Sequence, residues 1–391
     1  MQPTRKGVLR CTPARLYTAD IPWRLVLNGE PASHRGVAIP PTTRRQFLKT
    51  IACGLGAAAV LGESTGALLA GQQRPSLAVA PTAVVYDEIC KCHVPGVNRP
   101  DSPQRYDAVL AALKRSSYFP ALMPLKARPA TNDEILACHR DTYLALARRE
   151  IESGVHRLST GNTWVCSESL KAAYYAGGAA CVGVDAVLGG HAKNAFCMVR
   201  PPGHHATPDR GMGFCIFNNV AIAARYAQRQ HRVGKVLIVD WDVHHGNGTQ
   251  DIFYTDDSVF YFSTHQSPWY PWTGRKEETG NGKGLGTTLN WPMAPGAGRK
   301  QFVSAFDALA SAASRFKPEL VLISAGFDAR HGDPHGQLEL TDEDFAELTG
   351  RILDVARQNA GGRVVSVLEG GYSLTGLASA AASHCGRLQQ G

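Results

Sequence analysis

Residues 235–248 read KVLIVDWDVHHGNG, and this stretch decides the fold. Its first half is a short apolar run rich in β-branched side chains, which is typical of a buried strand. Its second half is polar and presents Asp240, Asp242, His244 and Asn247 directly after that strand. A continuous apolar strand, rather than an alternating one, indicates a parallel sheet that is covered on both faces.

Similar apolar runs alternate with helical patterns from about residue 82 onward. The predicted strands are Thr82–Tyr86, Ala195–Val199, Lys235–Asp240, Ser258–Ser263, Leu320–Ser324 and Arg363–Leu368. The predicted helices are Ser102–Leu113, Asp133–Ser153, Ser167–Leu188, Asn218–Gln230, Lys300–Phe316 and Asp342–Gln358. Thr131 with Glu134, and Thr341 with Asp344, have the spacing of N-terminal capping boxes. Strands that alternate with helices predict an α/β domain with a parallel sheet.

Other predicted strands also end in polar clusters. The segments that follow them read RPPGHHA at 200–206, AGFDA at 325–329 and EGGY at 369–372. In open parallel sheets, ligands bind beyond the carboxyl ends of the strands, which meet at one edge. The sequence therefore predicts one site to which several strands contribute.

The residue types in these clusters predict a metal site. Asp242 and His244 alternate along an extended strand end, so their side chains point to the same side, and Asp328 arrives from another strand. One imidazole and two carboxylates suit a divalent metal and leave room for water and substrate. Such a metal polarises an amide or ester carbonyl and acidifies its bound water.

The adjacent His204 and His205 are candidates for proton transfer. An imidazole in that role needs a partner that fixes its tautomer, and Asp240 and Asn247 are the available partners. Tyr372, on a Gly-Gly turn, can donate a hydrogen bond to a developing oxyanion. Beside a metal site, these groups indicate a hydrolase.

Composition and charge narrow the class of partner. The 391-residue chain is 44% hydrophobic and 19% charged, which allows a sizeable core. Its net charge is +8, but residues 1–80 hold ten Lys or Arg against three Asp or Glu, a net of +7, which leaves +1 for residues 81–391. A nearly neutral folded part excludes a broad basic face, so no nucleic-acid partner is expected.

Residues 1–80 are predicted to be an N-terminal extension with an export signal, and residues 81–391 a catalytic domain. The segment TTRRQFLK at 42–49 precedes the uncharged run Thr50–Gly62 and resembles a twin-arginine signal. That run is too short and too rich in small residues for a membrane span. We therefore expect a periplasmic protein without a stable membrane span in its mature form. The alternative, a chance Arg-Arg pair before a buried helix, would leave the protein in the cytoplasm.

Five motifs, in order along the chain, resemble those of the zinc-dependent histone deacetylase family, on its class II and bacterial acetylpolyamine amidohydrolase side. They are RPPGHHA (200–206), GFCIFNN (213–219), DWDVHHGNGT (240–249), SAGFDA (324–329) and EGGY (369–372). The resemblance implies the arginase–deacetylase fold, a single domain with a central eight-stranded parallel sheet flanked by helices. It also implies one zinc ion per chain, held by Asp242, His244 and Asp328.

The same resemblance implies a role for each polar residue near the zinc. His205 would be the general base and Asn247 would orient it. His204, oriented by Asp240, would be an electrostatic partner and proton donor. Tyr372 would clamp the carbonyl oxygen of the substrate.

Around the substrate, the resemblance implies a narrow channel. Phe214 and an aromatic ring of the pair Trp269-Tyr270, taken here as Tyr270, would form its walls, and the Gly213 carbonyl would accept the substrate's amide N–H. Asn162 stands where relatives often carry an aspartate that binds the substrate backbone. This difference puts the recognition of a peptide substrate in question. His335 would stand at the mouth, where it supplies no carboxylate for the ammonium group of acetylspermidine.

Two further features are implied below the channel. Arg105 would line an inner exit for acetate. A structural potassium ion would be bound by the Ser263 hydroxyl and by carbonyl groups near Asp240, Asp242, His244 and Thr264.

We therefore expect an exported zinc amidohydrolase that removes acetyl or another short acyl group from amines such as acetyl-lysine or acetylpolyamines. One alternative is an arginase-like ureohydrolase, which would use two manganese ions and an Asp-x-His-x-Asp pattern instead of the Asp-x-Asp-x-His-His order found here. Another is a non-catalytic binder of acetylated ligands. The signature of such a binder would be loss of Tyr372 or of a zinc ligand, and all are present. The sequence leaves a homo-oligomer open.

Overall fold

Eight strands form one parallel sheet in the computed structural model, which describes residues 80–391. The strands are β1 (Thr82–Tyr86), β2 (Met123–Lys126), β3 (Asn194–Cys197), β4 (Val236–Asp240), β5 (Val259–Gln266), β6 (Thr288–Met293), β7 (Leu320–Ala325) and β8 (Val364–Leu368). Their order across the sheet is β2-β1-β3-β8-β7-β4-β5-β6, and every neighbouring pair is parallel. The expected single eight-stranded parallel sheet is confirmed. The predicted export signal lies outside the described residues.

Helices connect these strands and flank the sheet. The α-helices of the described residues are α1 (Pro103–Arg115), α2 (Asn132–Leu136), α3 (Asp141–Glu152), α4 (Ser169–Leu188), α5 (Asn219–His231), α6 (Asn247–Phe253), α7 (Arg299–Phe316), α8 (Asp342–Asn359) and α9 (Leu374–Gln390). Both predicted capping boxes are present, at Thr131 before α2 and at Thr341 before α8. Within residues 80–391, no helix combines the length and the apolar character that a membrane span requires.

The strands are uniformly apolar because each contributes to two cores. In β7, Val321 and Ile323 pack into a cluster that includes residues of α1, α7, α8 and α9. Leu320 and Leu322, which point to the other face, pack into a cluster that includes residues of α3, α4 and α5. A sheet covered on both faces therefore accounts for the continuous apolar runs in the sequence.

Two strands were not predicted, and they form the two opposite edges of the sheet. β2 contains Pro124 and β6 contains Pro292. A proline lacks the N–H that a central strand needs, so it is tolerated at an edge and weakens the sequence signal for a strand.

The predicted single helix Asp133–Ser153 is wrong, because the structure divides it into α2 and α3. His139, between the two, accepts the N–H of Asn218 at Nε2, 2.9 Å away, and its Nδ1 lies 2.9 Å from the carbonyl oxygen of Thr207. The next N–H, of Arg140, donates to the carbonyl oxygen of Pro208 at 2.7 Å. The N–H of His139 still donates to the carbonyl oxygen of Ile135, so the helical pattern ends at Arg140, whose N–H bonds to Pro208 instead.

Candidate active site

Neighbouring strands deliver the predicted polar clusters to one edge of the sheet. β3, β8, β7 and β4 lie side by side and run parallel, so their carboxyl ends coincide. The clusters at 200–206, 369–372, 325–329 and 240–247 follow these ends. The topology therefore brings together side chains that are far apart in the sequence.

Asp242, His244 and Asp328 form the centre of this arrangement. Each offers a ligand atom, and these atoms all lie within 4.8 Å of one another. His244 Nδ1 is 2.9 Å from Asp242 Oδ1 and 3.3 Å from Asp328 Oδ2. All three residues are buried.

The surroundings of these donors fit a divalent cation. Asp242 Oδ2 accepts the N–H of Gly370 at 2.8 Å, whereas Asp328 Oδ2 is buried and receives no hydrogen bond from the described residues. Burial, together with the neighbouring Asp242 carboxylate, raises the pKa of Asp328 to about 7. A Cβ atom at Gly370 would overlap the Oδ2 atoms of both aspartates, so glycine keeps this space clear. Two buried carboxylates and one imidazole in this geometry are a suitable donor set for zinc.

Two imidazoles lie beside the triad, each with its own partner. His204 Nδ1 is 3.0 Å from Asp240 Oδ2, and His205 Nδ1 is 2.9 Å from Asn247 Oδ1. Burial opposes a charge on His204, but the carboxylates of Asp240 and Asp242 outweigh it and raise its pKa well above the usual value. Burial, together with the charge of His204, lowers the pKa of His205 well below the usual value. The pairing implied by the resemblance is therefore present in the structure.

Tyr372 is held in place through its backbone. The buried Asp333 accepts the N–H groups of Tyr372 and Ser373 at Oδ2, at 2.7 and 2.9 Å. Its Oδ1 accepts the N–H of His335 at 2.9 Å, and the rings of His335 and Tyr372 are 4.6 Å apart between centroids. Burial raises the pKa of the Tyr372 hydroxyl well above its usual value, so the group stays a donor.

A pocket of about 260 Å³ ends at these groups. Its lining includes the predicted channel residues Asn162, Gly213, Phe214, Tyr270 and His335, with His205, His244 and Tyr372. Gly213 and Phe214 both adopt a left-handed backbone, with φ of 56° and 68°. A Cβ atom at Gly213 would overlap the ring of His205, and the strained backbone of Phe214 sets its ring 5.8 Å from that of Tyr372. Such strain is typical of functional segments.

Arg105 lies behind the Tyr372 turn and is fully buried. Its Nε donates to the carbonyl oxygen of Gly371 at 2.6 Å, and its Nη2 to that of Glu369 at 2.5 Å. Nη1 donates to Asp101 at 2.8 Å, and the guanidinium carbon is 5.0 Å from the centroid of the Tyr372 ring. These contacts hold the turn, while a role in an acetate exit stays a prediction.

Two of the residues proposed to bind potassium, Asp240 and Ser263, are paired across β4 and β5. The Thr264 hydroxyl is 3.4 Å from the carbonyl oxygen of Asp240, and the Ser263 hydroxyl is 2.9 Å from His265 Nδ1. Potassium itself stays a prediction.

Sequence reasoning missed three buried acids that organise the site. Asp101 and Asp333 hold Arg105 and the Tyr372 turn, as described above. Glu369 accepts the N–H groups of Gly203 and His204 at Oε2, at 2.6 and 3.1 Å. Glu369 belongs to the EGGY motif and Asp333 follows the SAGFDA motif, whereas Asp101 is remote from all five motifs. A carboxylate that caps backbone N–H groups has no characteristic spacing.

This sheet and this site define a protein of the arginase–deacetylase fold. Residues 99–388 match the family described as "Histone deacetylase domain", and the chain belongs to that family. The solved structure of the HDA15 HD domain superposes with a TM-score of 0.76 at 36% identity, over 80% of this chain and 90% of that one.

Curated relatives carry several descriptions. "Histone deacetylase 10, chloroplastic" of Oryza sativa subsp. japonica is 44% identical, over 65% of this chain and 60% of its own length. "Histone deacetylase-like amidohydrolase" of Pseudomonas aeruginosa is 36% identical, over 75% of this chain and 82% of its own length. "Polyamine deacetylase HDAC10" of Homo sapiens is 41% identical, over 71% of this chain and 43% of its own length. The chain thus spans less than two thirds of the rice and human relatives.

Proposed function

We propose that this protein is a zinc-dependent amidohydrolase that removes acetyl or another short acyl group from an amine. The observation that carries the proposal is the buried triad Asp242, His244 and Asp328 at the end of a narrow pocket, beside two paired imidazoles. Relatives described as deacetylases and as an amidohydrolase support it.

The triad would hold the zinc through one oxygen of each aspartate and through Nδ1 of His244. When bound, zinc supplies Lewis-acid polarisation of the acyl carbonyl and lowers the pKa of a coordinated water. The protein contributes the fixed, buried donor set described above.

His205 is suited to take a proton from the attacking water. Asn247 Oδ1, which faces its Nδ1, can only accept a hydrogen bond, so Nδ1 carries the proton and Nε2 is left with a lone pair. His205 lines the pocket, which places this lone pair within reach of the reacting groups. His204, paired with Asp240, would balance the charge that develops and assist proton delivery to the leaving amine.

Tyr372 and the channel walls act on the substrate directly. The Tyr372 hydroxyl would donate to the carbonyl oxygen as it gains negative charge, an interaction stronger in the transition state than in the ground state. The Gly213 carbonyl would accept the amide N–H. Phe214 and Tyr270 would enclose the aliphatic chain and exclude water.

The experiment is a metal analysis of the purified protein combined with turnover of a fluorogenic acetyl-lysine amide. We expect one zinc per chain, loss of turnover on chelation and recovery when zinc is restored. Two manganese ions per chain with release of urea from arginine would instead support the ureohydrolase. Binding of the acetylated ligand without turnover, in the zinc-loaded protein, would support the non-catalytic binder.

We further propose that residues 1–80 direct export. Replacing both arginines of the pair, Arg44→Lys with Arg45→Lys, preserves charge but not the planar guanidinium. The precursor should then accumulate inside the cell, as followed by fractionation. Normal export of the doubly substituted chain would exclude the twin-arginine signal.

A further inference from the structure

The amide of Asn162 has a fixed orientation at the mouth of the pocket. Its Oδ1 accepts the N–H of Gly213 at 2.7 Å and the hydroxyl of Tyr270 at 3.3 Å. A backbone N–H can only donate, so the atom that faces Gly213 must be the oxygen. Asn162 is exposed, and its Nδ2 has no hydrogen-bond partner among residues 80–391. This N–H₂ group is therefore available to an acceptor from outside the protein.

Arg210 adds a positive charge on the same side of the mouth. Its Nε and Nη2 are each 3.3 Å from the carbonyl oxygen of Thr160, which precedes Asn162 by two positions. The N–H of Gly211 donates to Thr160 Oγ1 at 3.1 Å, which fixes the two segments side by side. Burial raises the pKa of the Tyr270 hydroxyl to about 12, and the charge of Arg210 opposes that rise. Arg210 thus lies near the pocket wall that Tyr270 forms.

No described carboxylate neutralises this charge. Arg210 is exposed and forms no ion pair with any acid in residues 80–391. Its neighbour Asp209 accepts a hydrogen bond from the Thr207 hydroxyl at 3.1 Å, and its charge acts on Asp251 in α6. A carboxylate from outside would therefore meet an unpaired guanidinium.

The opposite wall offers no carboxylate to a cation. The described residues that line the pocket include no aspartate or glutamate. His335 is half-buried, and burial lowers its pKa, so its ring is neutral at pH 7. The nearby carboxylate of Asp333 is already shared among backbone N–H groups. A positively charged substrate end would find repulsion from Arg210 without compensation.

We propose that Asn162 and Arg210 form a subsite for a carboxylate at the non-acylated end of the substrate. The inference rests on the proposed function and specifies its substrate class. That class is an acylated amine on an aliphatic chain whose other end is anionic, such as Nε-acetyl-lysine with its own α-carboxylate. Nε and Nη2 of Arg210 face the Thr160 carbonyl oxygen, so Nη1 is the guanidinium nitrogen left to donate to a carboxylate, and the asparagine N–H₂ adds another donor.

The test compares substrates that differ only at that end. They are Nε-acetyl-lysine with its α-amino group blocked, the primary amide of the same compound, and N-acetylputrescine as the cationic member. We expect kcat/KM for the acid to exceed that for the amide by about tenfold at low salt, as hydrogen bonds to a charged group allow. The ratio should fall towards one at about 1 M salt, because exposed charges are screened.

Matched variants locate the effect. Arg210→Gln should bring the acid-to-amide ratio close to one. Asn162→Asp, which keeps the contacts with Gly213 and Tyr270 but replaces the donor by an acceptor, should bring it below one and favour N-acetylputrescine. Arg115→Gln, an exposed arginine at the end of α1, should leave the ratio as in the wild type.

The outcomes separate this subsite from the proposed activity. Turnover of acid and amide at equal kcat/KM, or an unchanged ratio in Arg210→Gln, overturns the subsite and leaves the amidohydrolase standing. If the zinc-loaded protein hydrolyses neither the acid nor the amide, the proposed amidohydrolase activity is wrong. The Kd values of the two compounds, measured by calorimetry, then test the subsite, and equal values overturn it. Blocked acetyl-lysyl-glycine, whose carboxylate lies one residue further out, distinguishes a free amino acid from a peptide end.

Discussion

The floor and the rim of the pocket are built in different ways. The floor consists of Asp242, His244 and Asp328 with His204 and His205. These residues are buried, follow the ends of central strands, and most have a hydrogen-bonded neighbour. The rim consists of Asn162, Arg210, Tyr270 and His335. They lie on loops and are exposed or half-buried.

This difference separates chemistry from substrate choice. Central parallel strands hold the floor groups rigidly, as catalysis requires, so a change there should affect every substrate alike. Loops tolerate substitution, and a change in the rim should alter which substrate is preferred. The following predictions test that separation, from the largest expected effect to the smallest.

Asp328→Ala should abolish measurable turnover of every acylated substrate. The variant removes one of the three proposed protein ligands, and Asp242 with His244 should not hold zinc at full occupancy. Zinc content and kcat/KM are measured together. Asp307→Ala, at an exposed aspartate of α7, should retain both. Stoichiometric zinc and near-normal turnover in Asp328→Ala would remove Asp328 from the metal site.

Tyr372→Phe should lower kcat by about two to three orders of magnitude, the usual loss for one oxyanion donor. Only a hydroxyl is removed, so Tm and zinc content should stay as in the wild type. The control is Tyr175→Phe on α4, which should leave kcat unchanged. An unaltered kcat in Tyr372→Phe would exclude the hydroxyl from the mechanism.

Asp333→Asn should lower kcat by about one to two orders of magnitude, a typical loss for a residue that positions a functional group. The asparagine retains one acceptor oxygen, but its N–H₂ group would face a backbone N–H of Tyr372 or His335, and two donors cannot form a hydrogen bond. The measurement is a double-mutant cycle with Tyr372→Phe. If Asp333 acts through the tyrosine, its loss should nearly vanish in the phenylalanine background. Equal losses in both backgrounds would indicate a general destabilisation instead.

His335→Glu should raise kcat/KM for acetylspermidine by about tenfold, which corresponds to roughly 1.4 kcal/mol for a partly desolvated ion pair. The introduced carboxylate would partner the substrate's ammonium, while turnover of a neutral acetyl-lysine amide should change far less. His335→Gln is the matched neutral variant and should show no such gain. A wild type that already prefers acetylspermidine strongly, with no change in His335→Glu, would contradict the selective role of His335.

The floor was predictable because strong local signals coincide there. An apolar strand followed by Asp-x-Asp-x-His indicates both the element and the candidate ligands, and the parallel-strand rule brings in Asp328 and Tyr372 from elsewhere in the chain. The central strands were found for the same reason. The edge strands were not, since Pro124 and Pro292 weaken the pattern that identifies a strand.

The rim and the supports of the site were less accessible to sequence reasoning. Asn162, Tyr270 and His335 were placed by resemblance, but neither the direction of the Asn162 amide nor the presence of Arg210 beside it followed from any motif. Asp333 likewise stands next to the recognised His335 without a signal of its own. Loop residues that bond to backbone groups have no periodicity to detect.

The sequence alone therefore determined the fold class, the order of the central strands along the chain and the identity of the groups on the floor. These properties depend on local patterns, in which an apolar run specifies a buried strand and the residues after it lie at the sheet edge. Only the tertiary structure decided how α2 and α3 separate, which acids hold the Tyr372 turn, and that Asn162 presents a donor on the same side of the mouth as Arg210, which forms no ion pair within residues 80–391. Each of these depends on contacts between segments distant in the chain, whose hydrogen-bond partners are chosen by packing.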